Sequence, residues 1–116
     1  MRRSVMGLVA LLCLSPLAAD AHHSFSAEFD INKTVTLTGT VTEVRWSNPH
    51  GWIYIDVKGE DGKVVNWALE TAASNQLYRR GWRKEDLPVG AVVTVDGWLA
   101  RNGTPTANSG SIKLAD

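Results

Sequence analysis

The chain has 116 residues, its 12 Lys and Arg are balanced by 12 Asp and Glu, and apolar side chains make up 44% of it. That length allows one domain, and that apolar share excludes a disordered tail, a collagen-like rod and a multi-span membrane protein. A zero formal balance lacks the basic excess that displaces counterions from phosphates, so no nucleic-acid partner is expected.

Arg2 and Arg3 precede an apolar run from Val5 to Leu17, and Ala19-Asp20-Ala21 follows. The order basic, apolar, small-x-small reads as a secretory signal peptide over residues 1–21. The run is shorter than the roughly 20 residues a spanning helix needs. The expectation is therefore export and cleavage, a periplasmic or secreted location in a bacterium, and no stable membrane insertion afterwards. Cys13 is the one cysteine and falls inside this leader. The exported domain must then hold together without disulfides. Trp46, Trp52, Trp67, Trp82 and Trp98 are the expected main source of its buried area.

Residues 22–33 read as an N-terminal arm, and residues 34–116 as the domain. From Thr34 to Trp46, Val35, Leu37 and Val41 share one phase and five Thr the other, which predicts a long strand. After Val41 the apolar phase flips to Val44 and Trp46, so a bulge or sharp coil is expected between Gly39 and Glu43. Asn48-Pro49-His50-Gly51 breaks the pattern. A second strand runs Trp52–Lys58, Gly59-Glu60-Asp61-Gly62 is a hairpin loop, and Lys63–Glu70 returns. Ser74–Gly81 starts with a capping residue and stops at Gly, predicting a short helix. Ala91–Leu99 is a further strand, Arg101–Gly110 reads as turn-rich, and Ser111–Leu114 as a short closing strand.

That order is all-β with one short helix. It matches an OB-fold-like, five-stranded, partly open Greek-key barrel, with an open sandwich of different strand order as the rival. At His22-His23-Ser24-Phe25, Arg45-Trp46-Ser47-Asn48-Pro49-His50-Gly51-Trp52, Val65–Glu70 and Arg79-Arg80-Gly81-Trp82, the sequence resembles the small exported bacterial domain-of-unknown-function family 6152. The Trp-x-Asn-Pro-His-x-Trp segment carries the resemblance. It implies a periplasmic OB-like domain and brings no settled activity. Gly90-Ala91 and the Leu114-Ala115-Asp116 ending depart from the family pattern in a turn and a terminus.

The three histidines, His22, His23 and His50, are candidate metal ligands. Cleavage after Ala21 frees the amine of His22, which with its imidazole and a nitrogen of His23 or His50 suits Cu(II). Cleavage after Ala19 instead exposes Asp20-Ala21-His22, also a square-planar copper chelate. The competing reading is a solvated arm, with His50 a turn residue. A second candidate is a ligand or partner face at the Asn48-Pro49-His50 loop, built from Trp46, Asn48, His50, Trp52, Tyr54 and Glu70. Its occupant would be a small ligand or a periplasmic protein. Trp46 and Trp52 can equally plug the ends of a small barrel. Glu43, Asp56 and Glu70 are strand carboxylates that no spacing pairs for acid/base work, so no catalysis is expected. Arg79, Arg80, Arg83 and Lys84 cluster around Gly81-Trp82, where they complement a helix C-terminus or dock an acidic partner.

Overall fold

Thr alternating with Val and Leu makes a strand with one wet and one apolar face, and β1 runs Phe29–Arg45 in the computed structural model, which describes residues 25–115. Val41 stands opposite Ile55 and Glu43 opposite Tyr54, so Thr42 is an extra residue, a bulge inside the expected window. The bulge carries the apolar phase from Leu37 and Val41 to Val44 and Trp46, and one strand thereby serves two walls of the core. β1 begins at Phe29 rather than Thr34. Phe29 pairs with Ala100 and is buried, but the pairing then skips to Thr34 opposite Trp98. That irregular stretch breaks the alternation and hides the strand start in the sequence.

β2 (Gly51–Lys58) and β3 (Val64–Thr71) form the expected hairpin, whose turn uses Gly62 at φ +81°. α1 spans Ser74–Arg79, a 3₁₀ turn spans Lys84–Asp86, and β4 (Val92–Ala100) and β5 (Thr106–Leu114) complete the set. The strands close into a barrel in the order β1-β2-β3-β5-β4, with β3 and β5 parallel and the other pairs antiparallel. This is an OB-like Greek-key barrel, and the ring leaves no place for the sandwich. Closure depends on β1, which pairs with β4 as far as Thr40 and with β2 from Thr40 onward, across the bulge.

β5 starts earlier than the Ser111 expected. Its first half reads as a turn because Ala107 is its inward apolar residue there, and Gly110 is a second bulge opposite the Asp96–Gly97 step. Gly97 permits the approach: a Cβ at that position would collide with the Asn108 carbonyl oxygen. The core is aliphatic, made by Leu37, Val41, Ile53, Ile55, Leu69, Leu87, Val93, Val95 and Ala107. Trp46, Trp67 and Trp82 pack against it half-buried, whereas Trp52 and Trp98 stand half-buried outside that cluster. The Trp-built core expected from composition is thus corrected. The interior of a small barrel is filled by branched aliphatic side chains, and the indoles cover it from the margins.

Candidate functional site

Ile53, Leu69 and Ala107 face inward, so by strand alternation their neighbours face out. Across the outer surface Trp52 is paired with Glu70, Glu70 with Asn108, Asn108 with Trp98, and Trp98 with Thr34. Residues 25–28 form a helical turn beside this row. Phe25 sits 5.6 Å from Phe29 and meets Trp98 edge-on at 5.9 Å, centroid to centroid. Arg101 straps the turn to the barrel, its Nε donating to the Ser26 carbonyl at 2.6 Å and its amide to the Glu28 carbonyl at 2.8 Å. From the other side comes the β1–β2 loop, with a cis Asn48–Pro49 bond, and it brings His50 Nδ1 to 3.0 Å from Glu70 Oε1. Turn and loop enclose a cavity of about 670 Å³ over strands 2, 3 and 5.

The loop is held from below. Ser47 Oγ donates to the His50 carbonyl at 2.7 Å, and the Ser74 amide donates to the Ser47 carbonyl at 3.1 Å. Ser74 Oγ donates to Asn48 Oδ1 at 3.0 Å, and the Asn75 amide reaches the same oxygen at 3.5 Å. Ser74 is therefore not the cap that the sequence predicts. The residue before α1 is Ala73, with no side-chain cap bond, and Asn48 offers its oxygen to the helix start instead. Gly51, next to His50, has no room for a Cβ, which would lie 2.6 Å from Thr71 Oγ1.

Glu70 is the electrostatic centre of the cavity. Its side chain is 10% exposed, while His50 above it is 58% exposed. Burial pushes the Glu70 carboxyl above the ordinary carboxylate range because the charged form loses water; His50 pulls it down, and Glu28 pushes it up further. Among the described residues, the cavity is lined by the titratable Glu28, His50 and Glu70 and by no Lys or Arg. Phe25, Phe29 and Trp52 supply its rings, and Gln76, Asn108 and Ser109 its remaining polar edge. On the far side of Trp98, hydrogen bonds from Thr36 and Ser111 hold the Asp96 carboxyl below its usual range.

Of the residues predicted for a ligand face, His50, Trp52 and Glu70 meet at this cavity. Asn48 positions the loop. Tyr54 lies farther along β2 with the Arg45 guanidinium 5.2 Å from its ring centroid, and Trp46 packs against the core. His22 and His23 lie outside the described residues, among which no three His, Cys, Asp or Glu side chains gather as a metal-holding group. The sequence does not mark Phe25, Glu28 and Phe29, which read as part of an arm, nor Asn108 and Ser109, which fall in a turn-rich stretch, as site residues. Phe25 and Phe29 are four apart, the spacing of neighbours on one helical face, and that was the available signal. Arg83 stacks on Tyr78 with its guanidinium 3.5 Å from the ring centroid and donates to the Tyr78 and Trp82 carbonyls near the end of α1.

The fold is similar to that of the yeast (S. cerevisiae) mitochondrial single-stranded DNA binding protein Rim1, with TM-score 0.56 and 16% identity over 72% of this chain and 94% of that one. It is also similar to the N-terminal domain of PriB from Thermoanaerobacter tencongensis, with TM-score 0.53 and 20% identity over 73% of this chain and 98% of that one. At such identities the likeness is one of fold. No curated protein matches. The expectation of no nucleic-acid partner is nevertheless overturned by this likeness, because it rested on net charge alone. Barrels of this kind are found in single-stranded DNA binding proteins, and OB-folds hold strands through stacked rings on the strand 2–3 face as well as through charge. The profile of DUF6152, a family of unknown function, matches residues 10–109, and the chain belongs to that family.

Proposed function

We propose that the chain is an exported binding or accessory module without catalysis of its own, and that it receives a small ligand, or a side chain of a periplasmic partner, in the cavity between the Phe25 turn, His50 and Glu70. The observation that carries this reading is the buried Glu70 carboxylate, capped by His50 at 3.0 Å inside a ring-walled cavity of about 670 Å³. Ligand sites have this make-up: apolar walls and a few convergent polar groups in a concavity of about 300–1,000 Å³. A non-catalytic role is supported by the hydroxyls beside the pair. Thr71 Oγ1 donates to the Ala72 carbonyl at 2.9 Å and Ser109 Oγ to the Glu70 carbonyl at 2.6 Å, so both are engaged by backbone. The leader motif at residues 1–21 supports export.

The test is isotope-labelled, exported protein titrated with the small-molecule fraction of its own compartment. Shifts centred on Phe25, His50, Trp52 and Asn108 are expected. Shifts confined to the Tyr78–Lys84 surface, or appearing only with a single-stranded oligonucleotide along Tyr54, overturn the reading.

A second reading is copper binding or delivery through the processed N-terminus. Two observations favour it: a carboxylate on one imidazole nitrogen is the arrangement that orients metal-binding histidines through the other, and in the sequence one residue, Ser24, separates His22-His23 from Phe25, which borders the cavity. Its α-amino ligand must lose a proton, with a reference pKa of about 7.7–8.0, so copper affinity is expected to climb with pH. The correctly processed protein is expected to show a Cu(II) EPR signal that an N-terminally extended control lacks, and identical spectra would end this reading.

A further inference from the structure

Resting on the placement of the ligand in this cavity, we infer that the ligand is an organic cation: an ammonium or guanidinium group directed at Glu70 and Glu28, on a carbon body that lies against Phe25, Phe29 and Trp52. The sign of the charge follows from the lining. Among the described residues, two carboxylates and one imidazole border the space, and no Lys or Arg does. An anion entering it would meet the buried Glu70 charge, which among the described lining residues only the His50 imidazole can offset. A neutral ligand would leave that carboxylate, nine-tenths buried, with His50 as its polar partner among the described residues. A cation supplies the missing compensation, and charge-assisted hydrogen bonds to a carboxylate are stronger than neutral ones.

The rings determine the rest. Phe25 and Phe29 stand 5.6 Å apart and Phe25 meets Trp98 at 5.9 Å, so the aromatic wall is preassembled around the described turn. Aromatic faces attract ammonium and guanidinium groups and also cover hydrocarbon. Gln76, Asn108 and Ser109 border the same space with polar edges that suit an N–H-bearing head.

The experiment compares three probes of one shape and different charge on the labelled full-length exported protein: benzylamine, benzyl alcohol and phenylacetate. Benzylamine is expected to shift the His50 and Trp52 resonances saturably and to bind about tenfold or more tightly than benzyl alcohol, with phenylacetate weakest. Glu70→Gln, checked for folding by circular dichroism, is expected to lose about tenfold of that affinity, and the exposed-rim variant Glu28→Gln a smaller share. Benzyl alcohol or phenylacetate binding the cavity as well as benzylamine does would overturn the cation and leave the cavity a ligand site. Silence of all three at His50 and Trp52 would overturn both. Displacement of benzylamine by single-stranded DNA, equally in wild type and in Glu70→Gln, counts against a cation site on Glu70.

Discussion

Glu70 is a carboxylate that the fold keeps from water, and its stability effect has a definite sign. Its folded pKa is raised, so the native state binds its proton more tightly than the unfolded chain does. That contribution is fully present below the unfolded pKa and is lost as pH rises through the folded one. Wild type is therefore expected to lose stability relative to Glu70→Gln across that window, with denaturant unfolding at several pH values as the measurement. A constant difference would mean that burial does not perturb the group. His50→Ala removes the partner that pulls the pKa down, and the carboxyl resonance of Glu70 is expected to titrate at higher pH in that variant. Both residues were visible in the sequence as site candidates. Their contact was not, because one stands in a loop and the other on a strand that the fold alone brings alongside.

Between elements, Asn48 joins the β1–β2 loop to α1, and Asn48→Ala breaks its bond from Ser74 Oγ. The expected cost is about 1 kcal/mol, read as a lower Tm together with altered His50 shifts. A purely local loss at Ser74 would show that the loop does not depend on the helix. Arg101→Ala removes the strap on the Ser26 carbonyl, and hydrogen exchange is expected to quicken over residues 25–30 while β2 and β3 stay protected. At the second bulge a Cβ on Gly97 meets a backbone oxygen, so Gly97→Ala is expected to cost about 1–3 kcal/mol by equilibrium unfolding. The first bulge was legible because apolar phase flips across Thr42. The second was not, since the Thr106–Gly110 stretch carries one inward apolar side chain and leaves no phase to flip.

For the whole molecule, strand order along the chain suited both barrel and sandwich, and closure became visible only in the pairing of β1 with two neighbours. Net charge misled for a related reason: it averages over the surface, whereas a binding face is built from a few residues. Here Glu28, Glu70 and His50 gather at one cavity while Arg79, Arg80, Arg83 and Lys84 stand near the far end of α1. Trp number misled about the core because it says nothing of where a narrow barrel can seat an indole. Ile55, fully buried among aliphatic neighbours, is expected to cost about 2–5 kcal/mol on replacement by Ala, more than any change in the cavity.

The most direct test is native mass spectrometry of the exported protein, wild type beside Glu70→Gln, taken straight from its compartment. Wild type is predicted to carry a bound mass that disappears on denaturation and is absent from Glu70→Gln. The same mass held equally by both proteins, or a bare wild-type chain, would contradict a ligand seated on Glu70.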